Sequence, residues 1–223
     1  MKKFILSFAE ADTIRIKDGE GDHILHRIRA QKAFKDAQGY IIRPGDYGGY
    51  VESEANLSHD GQAWVAVGAK VFGNAHVSDN AIVFDNAVVC NSAHISGNAL
   101  IYGDAKVSGN AKVHGDAKIY GSAKICCNAK VYGNAEIFDA AAISDNAAIY
   151  GNARVYGDAD ISGTAGIGGN ADICDFAFVT GEVVIEGDIK VKGKAKLYGR
   201  VTIFGDAPFD AALYEERIRR MLF

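Results

Sequence analysis

The sequence is poor in the residues that usually interrupt or cross-link a chain. Only 2 of its 223 residues are proline, and only 1 is tryptophan. The 4 cysteines, Cys90, Cys126, Cys127 and Cys174, have neither the spacing of a zinc site nor that of a redox pair. We therefore expect free thiols, no bound metal and a reducing compartment, the cytoplasm. Few prolines together with 26 glycines suit a repeated structure better than a disordered chain.

The sequence also lacks a long apolar run and a strong charge of one sign. Its net charge is -4, from 24 basic and 28 acidic residues. A balance this even gives no reason to expect a nucleic-acid or membrane partner. The apolar stretch at residues 4–9 is short, and Glu10 and Asp12 follow at once, so we expect no signal peptide.

What the sequence has in abundance is a six-residue repeat between residues 63 and 207. Every sixth residue from Ala63 is alanine at 22 of 25 positions, and every sixth residue from Val65 is valine or isoleucine at all 24 positions except Leu197. An unbroken period of this kind indicates a repeat architecture. Alternation within the unit predicts a four-residue strand whose inner face is alanine and valine. The remaining two positions, rich in Gly, Asp and Asn, predict a corner.

A second period, of 18 residues, gives the number of strands in one coil. Outward residues of similar type recur at this spacing, as in the column Phe84, Tyr102, Tyr120, Phe138 and Tyr156. They do not recur at 6 or 12, so three strands form one coil. The sequence therefore predicts an all-β fold, a single-stranded parallel β-helix of about eight to nine coils.

The segments on either side of the repeat are predicted to close its ends. Residues 1–50 contain three strand-like stretches and an apparent turn at residues 46–50, and we expect an N-terminal β cap. A ligand- or partner-binding head is the alternative for this segment. Residues 51–207 form the β-helix. Residues 208–223 mix apolar with charged residues, acidic before basic, which predicts a short C-terminal helix.

Several short stretches resemble the YdcK-like hexapeptide-repeat family of bacteria and phages. The sequences Gly-Gly-Tyr-Val-Glu at residues 48–52, Asn-Leu-Ser at 56–58 and Gly-Gln-Ala-Trp-Val at 61–65 carry the resemblance, together with Leu-His-Arg-Ile-Arg-Ala at 25–30. The resemblance extends over residues 24–207. Members of the family are described as transferases, and the hexapeptide pattern implies a left-handed coil.

Histidines are the candidates for catalysis that the resemblance implies. Many hexapeptide β-helix proteins are trimeric acyltransferases that use acyl-CoA and a histidine base, and here His76 and His94 fall 18 residues apart on one face. The long loop that such enzymes carry is missing between residues 63 and 207. Two solvated surface histidines is the simpler interpretation. His114 occupies a different strand position, so a three-histidine zinc site is not expected.

Two surface patterns complete the picture. Lysines recur at successive outward positions and are expected to form a solvating belt; they are Lys106, Lys112, Lys118, Lys124 and Lys130. One face carries an apolar-aromatic patch, predicted to be a contact surface covered either by residues 1–50 or by a homotrimer partner. The patch consists of Trp64, Ile82, Phe84, Leu100 and Tyr102.

The sequence thus favours a non-catalytic binding or scaffold protein of bacterial or phage origin, without a cofactor. It would present surfaces, or clefts between subunits, to a partner or a small ligand. The alternative is an acyltransferase that depends on acetyl- or acyl-CoA and acts as a trimer. In both cases a homo-oligomer is expected, with a trimer favoured.

Overall fold

The computed structural model describes residues 2–205, which form a parallel β-solenoid of about nine turns preceded by antiparallel strands. The predicted all-β architecture is confirmed. Within residues 2–205 the only helices are two 3-10 segments, Glu10–Asp12 and Glu54–Asn56. None of these described residues forms a helix long and apolar enough to cross a membrane. The helix predicted at residues 208–223 lies outside the described residues.

Three flat faces make up the solenoid, and each is a sheet of stacked strands. Face 1 contains β6 (Tyr47–Val51), β8 (Lys70–Val71), β11 (Val88–Val89), β14 (Lys106–Val107), β17 (Lys124–Ile125), β20 (Ala142–Ile143), β23 (Asp160–Ile161), β26 (Phe178–Val179) and β29 (Lys196–Leu197). Face 2 contains β9 (His76–Val77), β12 (His94–Ile95), β15 (Lys112–Val113), β18 (Lys130–Val131), β21 (Ala148–Ile149), β24 (Gly166–Ile167), β27 (Glu182–Gly187) and β30 (Arg200–Gly205). Face 3 contains β7 (Trp64–Val65), β10 (Ile82–Val83), β13 (Leu100–Ile101), β16 (Lys118–Ile119), β19 (Glu136–Ile137), β22 (Arg154–Val155), β25 (Asp172–Ile173) and β28 (Lys190–Val191).

The repeat register explains why the interior needs only small and branched residues. From Trp64 onward, every strand pairs in parallel with the strand 18 residues away, as Ile119 does with Ile137, so identical positions stack. The alanine and valine or isoleucine positions are buried throughout the column. Most solenoid strands contain two residues rather than the predicted four, because the chain bends at each corner. Backbone N–H groups bond between coils, for example Lys124 N to Ala141 O at 2.9 Å, so the interior has no need of polar side chains.

The corners depend on residues that adopt the left-handed conformation. Glycine occupies most of them, and seven other residues there have positive φ, of which six are Asp or Asn. Such a conformation costs a non-glycine residue about 1–2 kcal/mol. Each of the six Asp or Asn side chains accepts a hydrogen bond from the N–H of a glycine 18 residues on; the six are Asp79, Asp85, Asn91, Asp139, Asp145 and Asp175. These bonds offset the backbone strain and tie one coil to the next.

The N-terminal strands extend face 1 beyond the first coil. They are β1 (Phe4–Ser7), β2 (Thr13–Lys17) and β3 (Asp22–Ala30). The small hairpin of β4 (Phe34–Lys35) and β5 (Ile41–Ile42) forms a separate two-stranded sheet. Strand β3 pairs antiparallel with β1, β2 and β6, and β6 pairs in parallel with β8. The predicted division at residue 50 stays a prediction, and β6, which spans it, pairs with an N-terminal strand on one side and with a coil strand on the other.

The turn expected at residues 46–50 is wrong, because Tyr47–Val51 is strand β6. Its two glycines serve close packing rather than a bend. A Cβ atom on Gly48 would lie 2.5 Å from the backbone oxygen of Val65, and one on Gly49 would lie 2.4 Å from the oxygen of Ala66. Glycine inside a strand often marks such a close approach.

Side chains complete the hydrogen bonds of the first coil, which has no coil before it on two faces. The amide of Asn56 donates to Gly73 O at 2.9 Å and to Ala75 O at 2.8 Å, in the place where a preceding coil would offer backbone N–H groups. On face 3 the ammonium of Lys3 donates to Ala63 O at 2.8 Å. Both side chains are buried, and burial lowers the pKa of Lys3 to about 8.

Candidate functional site

A concave site forms where the N-terminal strands meet the first coils. This junction recess has a volume of about 620 Å³ and is lined by two groups of residues. The N-terminal segment supplies Asp36, Gln38, Tyr40, Ile42, Asp46 and Tyr47, and the coils supply Trp64, Ala66, Val67, Ile82, Phe84 and Asp85. The faces of a solenoid are flat, so a recess of this size requires the second element.

The predicted apolar patch provides part of the recess. Trp64 and Ile82 are both only 2% exposed, and the ring of Phe34 lies edge-on to Trp64 with 5.4 Å between centroids. Residues 1–50 therefore contribute to covering Trp64, which is one of the two alternatives drawn from the sequence. Phe84 remains half-buried and stacks on Tyr102 at 4.7 Å. Whether a partner covers the rest of the patch, including the half-buried Leu100, stays a prediction.

The carboxylates of Asp36, Asp46 and Asp85 give the junction recess a negatively charged wall. Asp36 accepts bonds from the N–H groups of Gln38 and Tyr40, and Asp46 accepts one from Arg43 N. Each of the three carboxylates uses a single oxygen in these turn and corner bonds. Among residues 2–205, none of the three forms an ion pair. Asp36 is buried, whereas Asp46 and Asp85 are exposed, so the second oxygens of these two carboxylates are left to interact with a ligand.

Exposed apolar side chains surround the mouth of the junction recess. Tyr40 is 67% exposed and Val67 is 59% exposed. The ring of Tyr47 is covered on one side by the guanidinium of Arg27, 4.5 Å from its centroid. A surface that joins aromatic rings with unpaired carboxylates can bind an apolar group that carries a positive charge.

The structure places the two candidate histidines side by side on face 2. His76 and His94 are directly paired in register, and their ring centroids are 6.3 Å apart. Nδ1 of His76 lies 2.6 Å from Ala55 O. A carbonyl can only accept, so Nδ1 carries a proton, and in the neutral ring Nε2 is then the acceptor. His94 is exposed. Their assignment as catalytic residues stays a prediction.

The five lysines lie on all three faces of the solenoid, and their environments differ. On face 3, Lys118 donates to Glu136 at 2.9 Å, and this hydrogen bond raises the pKa of Lys118. Arg154 and Asp172 continue the alternation of charge along that face. On face 2 the lysines stack on each other instead, and they line a groove of about 330 Å³ with a row of asparagines; its residues are Asn110, Lys112, Asn128, Lys130 and Asn146.

Aromatic side chains stack on one another along two edges of the solenoid. The column Phe84, Tyr102, Tyr120, Phe138 and Tyr156 is one continuous stack, with 4.7 to 4.9 Å between neighbouring centroids. The second stack consists of His114, Tyr132 and Tyr150, and the hydroxyl of Tyr150 donates to Glu186. Burial and this bond raise the pKa of Tyr150 to about 12. The interior rings of such a stack contact each other, so their flat faces are closed to a ligand.

All four cysteines are free thiols, and they occupy two kinds of environment. Cys90 and Cys174 are buried, whereas Cys126 is half-buried and Cys127 is exposed. The sulfur atoms of Cys126 and Cys127 lie 3.6 Å apart. Burial, followed by the contact with Cys127, raises the pKa of the Cys126 thiol to about 11.

Comparison with known proteins supports the resemblance noted in the sequence. A family model described as the YdcK β-solenoid repeat matches residues 75–91 and residues 147–163. No curated protein matches the chain. Both matched segments begin at the inner alanine that precedes a strand of face 2, four coils apart, so the model recognises the same part of the coil twice. The chain is therefore a β-solenoid protein, and two of its segments are similar to the YdcK type of repeat.

Proposed function

We propose that this β-solenoid is a non-catalytic binding protein that holds a positively charged apolar group in the junction recess. The group would be an organic ammonium or guanidinium, either free or on a partner protein. The observation that carries the proposal is the wall itself, where Asp46 and Asp85 face the same cavity as Trp64 and Phe84. The YdcK-type repeats support a bacterial or phage origin, and the free thiols support a cytoplasmic location.

The residues of the junction recess favour binding over covalent catalysis. Its lining contains no Ser, Thr, Cys, Lys or His, the side chains that supply most covalent nucleophiles. The carboxylates are held by backbone N–H groups, as the Asp85 carboxylate is by Gly103 N at 3.2 Å. A fixed carboxylate beside an aromatic surface favours a bound cation through charge and through the ring quadrupole together.

The chain's single tryptophan provides a direct test of this site. Trp64 lines the junction recess and is the only tryptophan of the chain, so tryptophan emission reports on this residue alone. We expect phenethylammonium to shift the emission of Trp64 with saturation, and phenylacetate, of similar size and opposite charge, to bind at least tenfold more weakly. Equal responses to the two probes, or no saturable response to phenethylammonium, would exclude the proposed chemistry.

Conservative variants separate the recess charges from the fold. The double change Asp46→Asn and Asp85→Asn keeps both side-chain acceptors for Arg43 N and Gly103 N but removes the negative charge. We expect it to weaken phenethylammonium binding about tenfold or more, in line with two lost charge interactions at a partly exposed site. Asp158→Asn, at an exposed corner away from the recess, is the matched control and should bind as the unchanged protein does.

The second candidate function is an acyl-CoA-dependent acyltransferase acting as a trimer, with His76 as the base. The bond between His76 Nδ1 and Ala55 O favours it, because an oriented imidazole with a free Nε2 is what a general base requires. Light scattering and thermal unfolding with and without acetyl-CoA distinguish the candidates. A trimer that acetyl-CoA stabilises would support the enzyme, since a ligand of the folded state raises its stability. A trimer or a monomer that acetyl-CoA leaves unchanged would support the binding protein.

A further inference from the structure

One corner of the solenoid breaks the rule that the other corners follow. Of the seven non-glycine residues with positive φ, six are Asp or Asn, and each bonds to a glycine N–H 18 residues on. The seventh is Cys127, with φ of 59°. The residue 18 positions on from Cys127 is Asp145 rather than glycine, and within residues 2–205 the Cys127 thiol makes no such bond.

Nothing in the fold explains why cysteine stands at this corner. The thiol is exposed, so it adds nothing to the core, and it is too weak a partner to replace the Asp or Asn side chain. Glycine, which the equivalent corners one coil before and two coils after use at Gly109 and Gly163, would adopt the same conformation without strain. A strained residue that its surroundings do not require is a reason to look for a function.

The strained corner brings two sulfur atoms together on the surface. Cys126 directly follows strand β17, and Cys127 after it has the left-handed conformation; their two sulfurs are 3.6 Å apart. Two thiolates on a tetrahedral zinc ion, each at about 2.3 Å, would be about 3.8 Å apart. The pair therefore fits two adjacent positions of a tetrahedral metal ion without a change of backbone.

We propose that Cys126 and Cys127 form a two-thiolate site for a thiophilic divalent cation of the zinc type. Each thiol gives up its proton as the metal–sulfur bond forms, so one cation is bound and two protons are released to solvent, with no change of oxidation state. No cluster of three or more His, Cys, Asp or Glu suited to a metal is present in residues 2–205. The two sulfurs are accordingly the protein's share of the coordination, and water completes it, which makes the metal exchangeable.

Cadmium is the probe for this site, because cadmium–thiolate bonds absorb in the ultraviolet and metal-free thiols do not give that band. Titration of the reduced protein with Cd²⁺ is expected to produce the band with a stoichiometry of one ion per chain. Cys127→Ser and Cys126→Ser should each reduce the band at least tenfold at equal Cd²⁺. Cys90→Ser is the matched control, since Cys90 occupies the same outward column but is buried and has no sulfur neighbour.

A glycine variant keeps the test valid if a serine variant folds poorly. Cys127→Gly should melt at a higher temperature than the unchanged metal-free protein, because glycine relieves the strain at this corner, and it should lose the cadmium band. An unchanged band in Cys127→Ser or Cys127→Gly would overturn the proposal, and so would loss of the band in Cys90→Ser. A lower melting temperature of Cys127→Gly would show that the cysteine serves the fold, and would equally overturn it.

Discussion

The side chain of Asn56 is expected to determine the stability of the first coils. Its Nδ2 group donates to Gly73 O and Ala75 O, and its Oδ1 accepts from Ser53 N at 2.8 Å. Asn56 is only 1% exposed. Asn56→Ala would therefore leave two carbonyl oxygens without a hydrogen-bond donor at a site that water does not reach. Each orphaned buried carbonyl costs about 1–3 kcal/mol, and the lost turn bond about 1 kcal/mol more. The expected loss is therefore about 3–7 kcal/mol.

The loss should be local, because a solenoid coil contacts only its neighbours. Native-state hydrogen exchange measures this directly, since it gives the free energy of opening amide by amide. In Asn56→Ala we expect the amides of Ser58 and His76, which bond to Val77 O and Ala93 O, to exchange at least about a hundredfold faster. The amide of Lys130, three coils further along, should keep its protection.

Two further variants test whether the hydrogen bonds donated by the Asn56 amide are the reason for this stability. Asn56→Asp preserves size and the bond from Ser53 N but cannot donate, and it sets a carboxylate against two carbonyl oxygens, so it should be less stable than Asn56→Ala at neutral pH. Asn152→Ala removes an exposed asparagine of a corner ladder and should cost about 1 kcal/mol or less. If Asn56→Asp were as stable as the unchanged protein, or if protection fell equally at Ser58 and Lys130, the reasoning would be refuted.

Three other predictions concern the pH dependence, the aromatic stack and the corners. Burial lowers the pKa of Lys3 from 10.5 to about 8, so the unfolded chain binds the proton more tightly between these values. The free energy of unfolding should therefore rise with pH between about 8 and 10.5, by up to about 3 kcal/mol, and urea unfolding of Lys3→Met should lack this rise. Tyr120→Ala removes two ring contacts, with Tyr102 at 4.8 Å and Phe138 at 4.9 Å, and should cost about 1–3 kcal/mol in urea unfolding; an unchanged midpoint would contradict a stabilising stack. Gly133→Ala would place an alanine at positive φ with its Cβ atom 2.9 Å from Gly151 O. It should lower the unfolding free energy by more than about 1 kcal/mol, whereas Ala140→Gly should have a much smaller effect.

The sequence by itself determined the column and its surface order. A strict six-residue period places each side chain inside or outside, and the 18-residue coil places each outward residue directly above another. The stack from Phe84 to Tyr156 and the adjacent pair His76 and His94 follow from that arithmetic alone. The same arithmetic sets Lys118 beside Glu136, a pair that the expectation of a uniform lysine belt overlooked.

Only the tertiary structure decided the features that follow from neither the six-residue nor the 18-residue period. The turn expected at residues 46–50 was wrong because Gly48 and Gly49 serve a close approach to the first coil, and sequence alone does not distinguish that use of glycine from a bend. The junction recess depends on how residues 34–47 fold back over Trp64 and Ile82, and those contacts are far apart in the chain. A repeat fixes the neighbours of its own members, because every coil is equivalent. It does not determine the ends of the column. There a neighbouring coil is missing, and particular side chains must form the hydrogen bonds that this coil would form.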